Sequence, residues 1–257
     1  NPPGPPLRFT DPAFFETRWE WNADSVCTRV VHANGNETLL SYDGANPDPR
    51  ARGNLLASTR LPGILGGDQP VIGETWEYDP VVGFDANVVT RHVDPRGNET
   101  THQYDAAGNR IHTTHRIPSI VEDFQYDAFG RLTRHILPDN GSGHRREDAF
   151  VYYGPADGCM NGYLRDRIID DTGFALTTTY EYDCLGRMVR EIDERGNDST
   201  VEYTALDQPI RSRSREVTTP APVRYERLWW YDANDNVVRV DVSNHDDQGA
   251  LQPNTHL

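Results

Sequence analysis

The sequence predicts an all-β fold in which tandem β-hairpins stack into a long curved sheet. Three observations predict it. The string Tyr-Asp-x-x-Gly recurs, turn signals return every ten or eleven residues, and no stretch longer than a few residues carries a 3.6-residue apolar period. Composition agrees. Of the 257 residues 36% are apolar, about 44% once the 21 glycines are added, so the core should be thin.

Along the chain we expect an irregular segment over 1–15, the repeat over 16–242 and an irregular tail over 243–257. Aromatic heads of the motif fall at Trp21, Tyr42, Tyr78, Phe84, Tyr104, Tyr126, Tyr182, Tyr203 and Tyr231, with several gaps of 20 to 22 residues. Asp follows the head as Asp43, Asp79, Asp105, Asp127, Asp183 and Asp232, and Gly closes the string as Gly108, Gly130 and Gly186. A second string leads into the head: HANGNETLLSY ends at Tyr42, DPRGNETTHQY at Tyr104 and DERGNDSTVEY at Tyr203. Its turns run from Asp94 to Gly97 and from Asp193 to Gly196.

The spelling has a physical reason. Asp at the first position of a type I turn accepts hydrogen bonds from backbone N–H groups ahead of it, and Gly suits the fourth position. Asp207 and Asp235 stand where Gly is missing, and Asp tolerates a left-handed backbone. Strands of about six or seven residues remain between turns, near the modal length of ~5–6. With a side-chain period of two, Leu176, Thr178, Tyr180 and Tyr182 share one face, and so do Val223, Tyr225, Arg227, Trp229 and Tyr231. The face of Asn98, Thr100, His102 and Tyr104 is mostly polar, which favours a single sheet wetted on at least one side over a sandwich. Inserts at 44–54, 61–73, 138–147, 154–162 and 218–222 read as loops, and strands near 16–22 and 236–242 as unpaired edges.

A net charge of −15 repels phosphate backbones and anionic lipid, so nucleic acid is not an expected partner. No apolar run could span a bilayer. Cys27, Cys159 and Cys184 form no C-x-x-C pair and leave one over, so neither a disulfide framework nor a zinc site is indicated; Cys184 reads as an exposed turn thiol. His112 and His115 would lie on opposite faces of a strand, which makes them structural rather than metal ligands. Asn36, Asn98, Asn140 and Asn197 open Asn-x-Ser/Thr sequons, three of them at one place in the repeat, where a turn explains them. The recurring aspartates serve turns, and a glycosidase would need carboxylates outside the motif such as Glu181, Glu202 or Glu226. Trp229 and Trp230 must face opposite ways, and one of them could offer a flat surface to a sugar ring.

The Tyr-Asp-x-x-Gly-Arg/Asn units, with Asp-Pro-x-Gly-Asn between them, resemble the Rhs/YD-repeat family across most of residues 19–242. Bacterial Rhs polymorphic toxins, the shell component of insecticidal toxin complexes and teneurins are its members. The resemblance implies a segment of a hollow β-shell, non-catalytic and without cofactor, in a secreted or cell-surface protein. Its partners would be the remainder of a longer YD-repeat chain and an enclosed toxin polypeptide, or another protein or glycan at a cell surface. About nine heads are fewer than a complete shell of the family carries, which implies a fragment or partial turn. The Asp-Pro-x-Gly-Leu segment that ends family toxin shells, where an aspartyl self-cleavage frees the cargo, is not found in this sequence. Two alternatives stand beside this reading. One is an extracellular adhesion or carbohydrate-binding module that uses Trp229, Trp230 and the 61–73 insert; the other is a glycan-active enzyme on a β scaffold.

Overall fold

The computed structural model describes residues 16–47, 52–63, 69–81, 84–217, 222–246 and 248–256, and the expected irregular segment 1–15 lies outside them. Regular structure among the described residues is nineteen β-strands and one 3-10 segment, Pro155–Met160. The all-β hairpin class is therefore what this sequence folds into. Two compact units divide the chain, residues 1–130 with 138–143, and residues 131–137 with 144–257. No helix among the described residues is long and apolar enough to cross a membrane.

In the first unit lie β1 (Arg18–Trp21), β2 (Cys27–Val31), β3 (Glu37–Tyr42), β4 (Leu55–Leu61), β5 (Ile72–Val81), β6 (Phe84–Val93), β7 (Glu99–Tyr104), β8 (Arg110–Thr114) and β9 (Val121–Tyr126). Each pairs antiparallel with the next. β10 (Leu132–Asp139) starts in the second unit, followed there by β11 (Arg145–Tyr152), β12 (Leu164–Ile169), β13 (Leu176–Tyr182), β14 (Met188–Ile192), β15 (Asp198–Tyr203), β16 (Pro209–Arg213), β17 (Glu226–Tyr231), β18 (Val237–His245) and β19 (Leu251–His256). From β11 onward these too pair antiparallel in chain order.

The two ends of the hairpins differ. At the aromatic head the register skips one residue: Gln103 faces His112 but Tyr104 faces Arg110, and Glu181 faces Arg190 but Tyr182 faces Met188. The same skip occurs at Trp21, Tyr42, Tyr78, Tyr203 and Tyr231. Tyr152 has it as well, a head that the sequence reading missed because Tyr153 and Gly154 follow it instead of Asp. At the Asp94–Gly97 and Asp193–Gly196 ends the register closes without a skip. A skipped residue is a β-bulge, which leaves backbone groups out of the ladder and strengthens local twist.

Gly108 closes the Asp105 turn at φ +85°, a left-handed backbone that a Cβ disfavours. Asp207 and Asp235 hold the same conformation at +63° and +64° where Gly is absent, and Ser25 does so at +61°.

Three expectations need correction. Residues 243–257, expected as an irregular tail, form a further hairpin: Gly249 N–H donates to the Asp246 carbonyl at 3.0 Å and β19 pairs with β18. The strand expected to end as an edge near 236–242 is thus paired on both sides, with β17 and β19. The Asp-x-x-Gly signal was present at Asp246–Gly249, but no Tyr precedes it. Phe84 heads no turn. β5 continues past Tyr78 to Val81, Val81 pairs with Phe84, and Asp79 faces Val88 within the ladder.

The core is as thin as the composition requires. Phe124, Ala149, Tyr153 and Val223 are the buried apolar residues among those described, and no large side chain there is fully enclosed.

Candidate functional surface

The turns come first, because the recurring carboxylates sit there. Asp105 Oδ1 accepts the N–H groups of Ala107 and Asn109, both at 2.9 Å, while Oδ2 accepts the Asn109 amide at 2.9 Å. Asp94 does the same with Arg96 and Asn98, Asp193 with Arg195 and Asn197, and Asp232 with Asn234 and Asn236. Asp183 accepts from Leu185 and from the backbone and guanidinium of Arg187. Asn22 and Thr204 replace Asp and accept the same two backbone N–H bonds. The Asn98 backbone bond holds Asp94 below the usual carboxylate range, as the side chains of Asn109, Arg187 and Asn197 do for Asp105, Asp183 and Asp193. A general acid needs the opposite shift.

The same bonds account for the sequons. Asn98 and Asn197 donate their amides to Asp94 and Asp193, and Asn36 Oδ1 accepts the Gly63 N–H at 2.8 Å. Asn140 is an exposed turn residue.

The head tyrosines tie successive hairpins together. Tyr104 donates its hydroxyl to the Val89 carbonyl at 2.8 Å, and Val89 faces Tyr78, the previous head. Tyr126 donates to Arg110, which faces Tyr104. In the second unit Tyr203 donates to Met188, which faces Tyr182, and Tyr231 to Pro209, which faces Tyr203. Tyr152 reaches Leu132 at 2.7 Å. Tyr104, Tyr126, Tyr203 and Tyr231 thus each donate to the carbonyl of a residue that faces the previous head at its bulge. Burial raises the Tyr104 and Tyr126 hydroxyls above the ordinary tyrosine range, which keeps them protonated as donors.

The opposite face carries ion pairs in rows. Arg29 bridges Glu20 and Glu37, each at 2.7 Å; Arg190 bridges Glu181 and Asp198 at 3.0 and 3.2 Å; Arg211 bridges Glu202 and Glu226 at 3.7 and 2.6 Å. Each of these bases lies directly across from the residue before a head. Part-exposed pairs of this kind contribute little to stability, because solvent screens them. Their main effect is on register, since a one-residue slip would put every side chain on the wrong face. Glu181, Glu202 and Glu226 are all in these rows, and hydrogen bonds from Arg213 and Arg211 hold Glu226 below the usual carboxylate range.

His112 and His115 address different carboxylates, Asp123 at 2.5 Å and Glu122 at 2.7 Å. No group of three or more His, Cys, Asp or Glu among the described residues is placed to hold a metal. Trp229 and Trp230 face opposite ways: Arg227 lies over the Trp229 ring at 5.8 Å, and Arg239, anchored on buried Asp241, over the Trp230 ring at 4.7 Å. Trp230 keeps 39% of its surface exposed. An open cleft of about 600 Å³ in the first unit is lined by His32, Asn36, Arg60, Leu61, Pro70 and Ile72.

The cysteine reading needs correction. Cys159 and Cys184 form a disulfide with Cα atoms 5.0 Å apart, leaving Cys27 as the free thiol. The 154–162 insert folds back over the Asp183 turn, a juxtaposition that spacing in sequence does not encode, and Tyr163 stacks on Tyr182 at 5.0 Å beside it. Closing a loop of this size restrains the unfolded chain by roughly 3–4 kcal/mol in the chain-entropy model.

Residues 86–116, which contain one turn of each kind, match the RHS Repeat family model. That stretch is an RHS repeat by this match. Outside the match the chain repeats the same turns, bulges and tyrosine bonds. No curated protein matches the sequence. Among solved structures it is similar to TcdB2-TccC3 without the hypervariable C-terminal region, at 14% identity and a TM-score of 0.43, covering 93% of this chain and 15% of that one. It is also similar to the Photorhabdus luminescens Tc holotoxin pore, at 13% identity and 0.28, covering 91% and 17%. A porin-like protein from Bacteroides uniformis matches at 12% identity and 0.29, covering 93% and 92%. The chain spans about 15% of the length of the first of these.

Proposed function

We propose that this chain is a non-catalytic structural segment of a larger Rhs/YD-repeat protein, part of a shell that holds or delivers a toxin polypeptide. The tyrosine bond between successive hairpins carries the reading. The motif's Tyr and Asp bond backbone, so their recurrence builds continuous sheet rather than a reaction centre. Partners on this reading are the rest of the YD-repeat chain and an enclosed polypeptide. The exposed cystine supports a secreted or cell-surface setting, because such bonds persist in oxidising compartments. Limited proteolysis of the intact parent protein tests it. A polypeptide outside the repeat should resist protease until denaturant opens the protein, and parallel cleavage of every segment would contradict the enclosure.

The cleft of the first unit and, separately, the exposed Trp230 of the second favour another reading, a carbohydrate-binding module in which Leu61, Pro62, Gln69, Pro70 and Ile72 of the 61–73 insert line the cleft. Glycan-array binding lost on Trp230→Ala or Arg60→Ala would replace the shell with this reading. No binding on any glycan would dismiss it.

A further inference from the structure

Cys159 belongs to the insert between β11 and β12, and Cys184 to the turn between β13 and β14; both are exposed. The segment Pro155–Met160 buries none of its residues. Its own hydrogen bonds are local: Gly154 N–H to Asp157 at 2.7 Å, Asn161 N–H to the Gly158 carbonyl at 3.2 Å, Tyr163 N–H to the Met160 carbonyl at 3.0 Å. Toward the turn, Tyr163 stacks on Tyr182 and places its hydroxyl 2.4 Å from where a Cβ on Gly186 would sit. The flanking strands are held independently, through ladders that pair Phe150 with Arg167, Arg167 with Thr178 and Glu181 with Arg190. The cystine is therefore the covalent tie on a segment with little burial, beside strands that do not need it.

We propose that the Cys159–Cys184 bond is a thiol-gated clamp on the 154–162 insert. Oxidised, it pins the insert over the Asp183–Gly186 turn. Reduced, it releases the insert while β11 to β14 stay paired. The reductant is a small thiol such as glutathione. Its thiolate attacks the sulfur of one cysteine, the Cys159–Cys184 bond breaks, and the other cysteine leaves as a thiolate that takes a proton from water. A second thiolate then attacks the mixed disulfide, frees the remaining cysteine and departs as the oxidised dimer of the reductant, so two electrons enter the cystine. Exposure of both cysteine residues provides the access that this exchange requires.

Hydrogen exchange read by mass spectrometry on the full chain, purified without reductant and measured with and without glutathione, tests the clamp. Peptides over 155–162 should exchange about tenfold faster or more after reduction, as local opening predicts, with β12 and β13 unchanged. Cys159→Ser and Cys184→Ser should match the reduced protein, and Cys27 should alkylate in both states. Absence of a Cys159–Cys184 peptide from a non-reduced digest would overturn the proposal. Unchanged exchange over the insert would do the same, and so would loss of protection in β12 and β13, which would make the bond a staple of the whole unit.

Discussion

Tyr203 donates its hydroxyl to the Met188 carbonyl at 3.0 Å, and Met188 is the residue opposite Tyr182, the head of the hairpin before. Arg187 stacks on the Tyr203 ring at 5.0 Å while bonding Asp183 in its own turn and the Thr204 carbonyl in the next. Head, bulge and turn of adjacent hairpins are thus one connected set of bonds.

Tyr203→Phe removes one such bond and should cost about 1 kcal/mol. Tyr203→Ala also loses the half-buried ring and its Arg187 contact, and should cost roughly 2 kcal/mol or more. Urea titrations would show both as shifts in midpoint. Equal stability of Tyr203→Phe and the parent would mean that the phenol gains nothing from the bulge carbonyl.

Gly186 and Gly196 separate backbone strain from crowding. Both are left-handed, at φ +82° and +80°, but a Cβ on Gly186 meets the Tyr163 hydroxyl at 2.4 Å whereas one on Gly196 meets nothing within 4 Å. Gly196→Ala should cost about 1–2 kcal/mol from conformation alone. Gly186→Ala should cost more, with the excess removed in the Tyr163→Ala background. Thermal melts of the single and double variants measure that coupling.

How much of this was legible depends on distance along the chain. The Asp105–Gly108 turn was readable because a carboxylate, two N–H groups and a left-handed Gly interact within five residues. The Tyr203–Met188 bond was not, because it requires a bulge whose register appears only when the strands pair. Cys159 and Cys184 escaped for the same reason, since an insert of irregular backbone brings them together. Asp246–Gly249 shows the reverse error: its turn spelling was complete, and the missing Tyr hid it.

Acid should unfold the turns in a defined window. Asp94 and Asp193 titrate below the ordinary aspartate value in the fold, held down mainly by bonds from Asn98 and Asn197. Their stabilisation is therefore present above about pH 4 and is lost as pH falls from there through the lower folded values. Asp193→Asn should lower the melting temperature at neutral pH and flatten its acid limb. An acid limb identical to the parent's would remove Asp193 from the explanation.

Arg190→Gln should lower the melting temperature only slightly, and the difference from the parent should shrink with added salt, because the pairs with Glu181 and Asp198 are part exposed. Melting curves at low and high ionic strength report it.

Replacing Tyr104, Tyr126, Tyr152, Tyr203 and Tyr231 together by Phe leaves every ring and turn in place and deletes only the bonds between hairpins. Urea unfolding of this variant, followed through its slope and midpoint, asks whether the phenols join the repeats. If they supply the coupling between neighbouring units, the transition broadens or splits and its slope falls, as weakened neighbour terms in a repeat array require. A single transition with the parent's midpoint and slope would show that the repeats hold together without them.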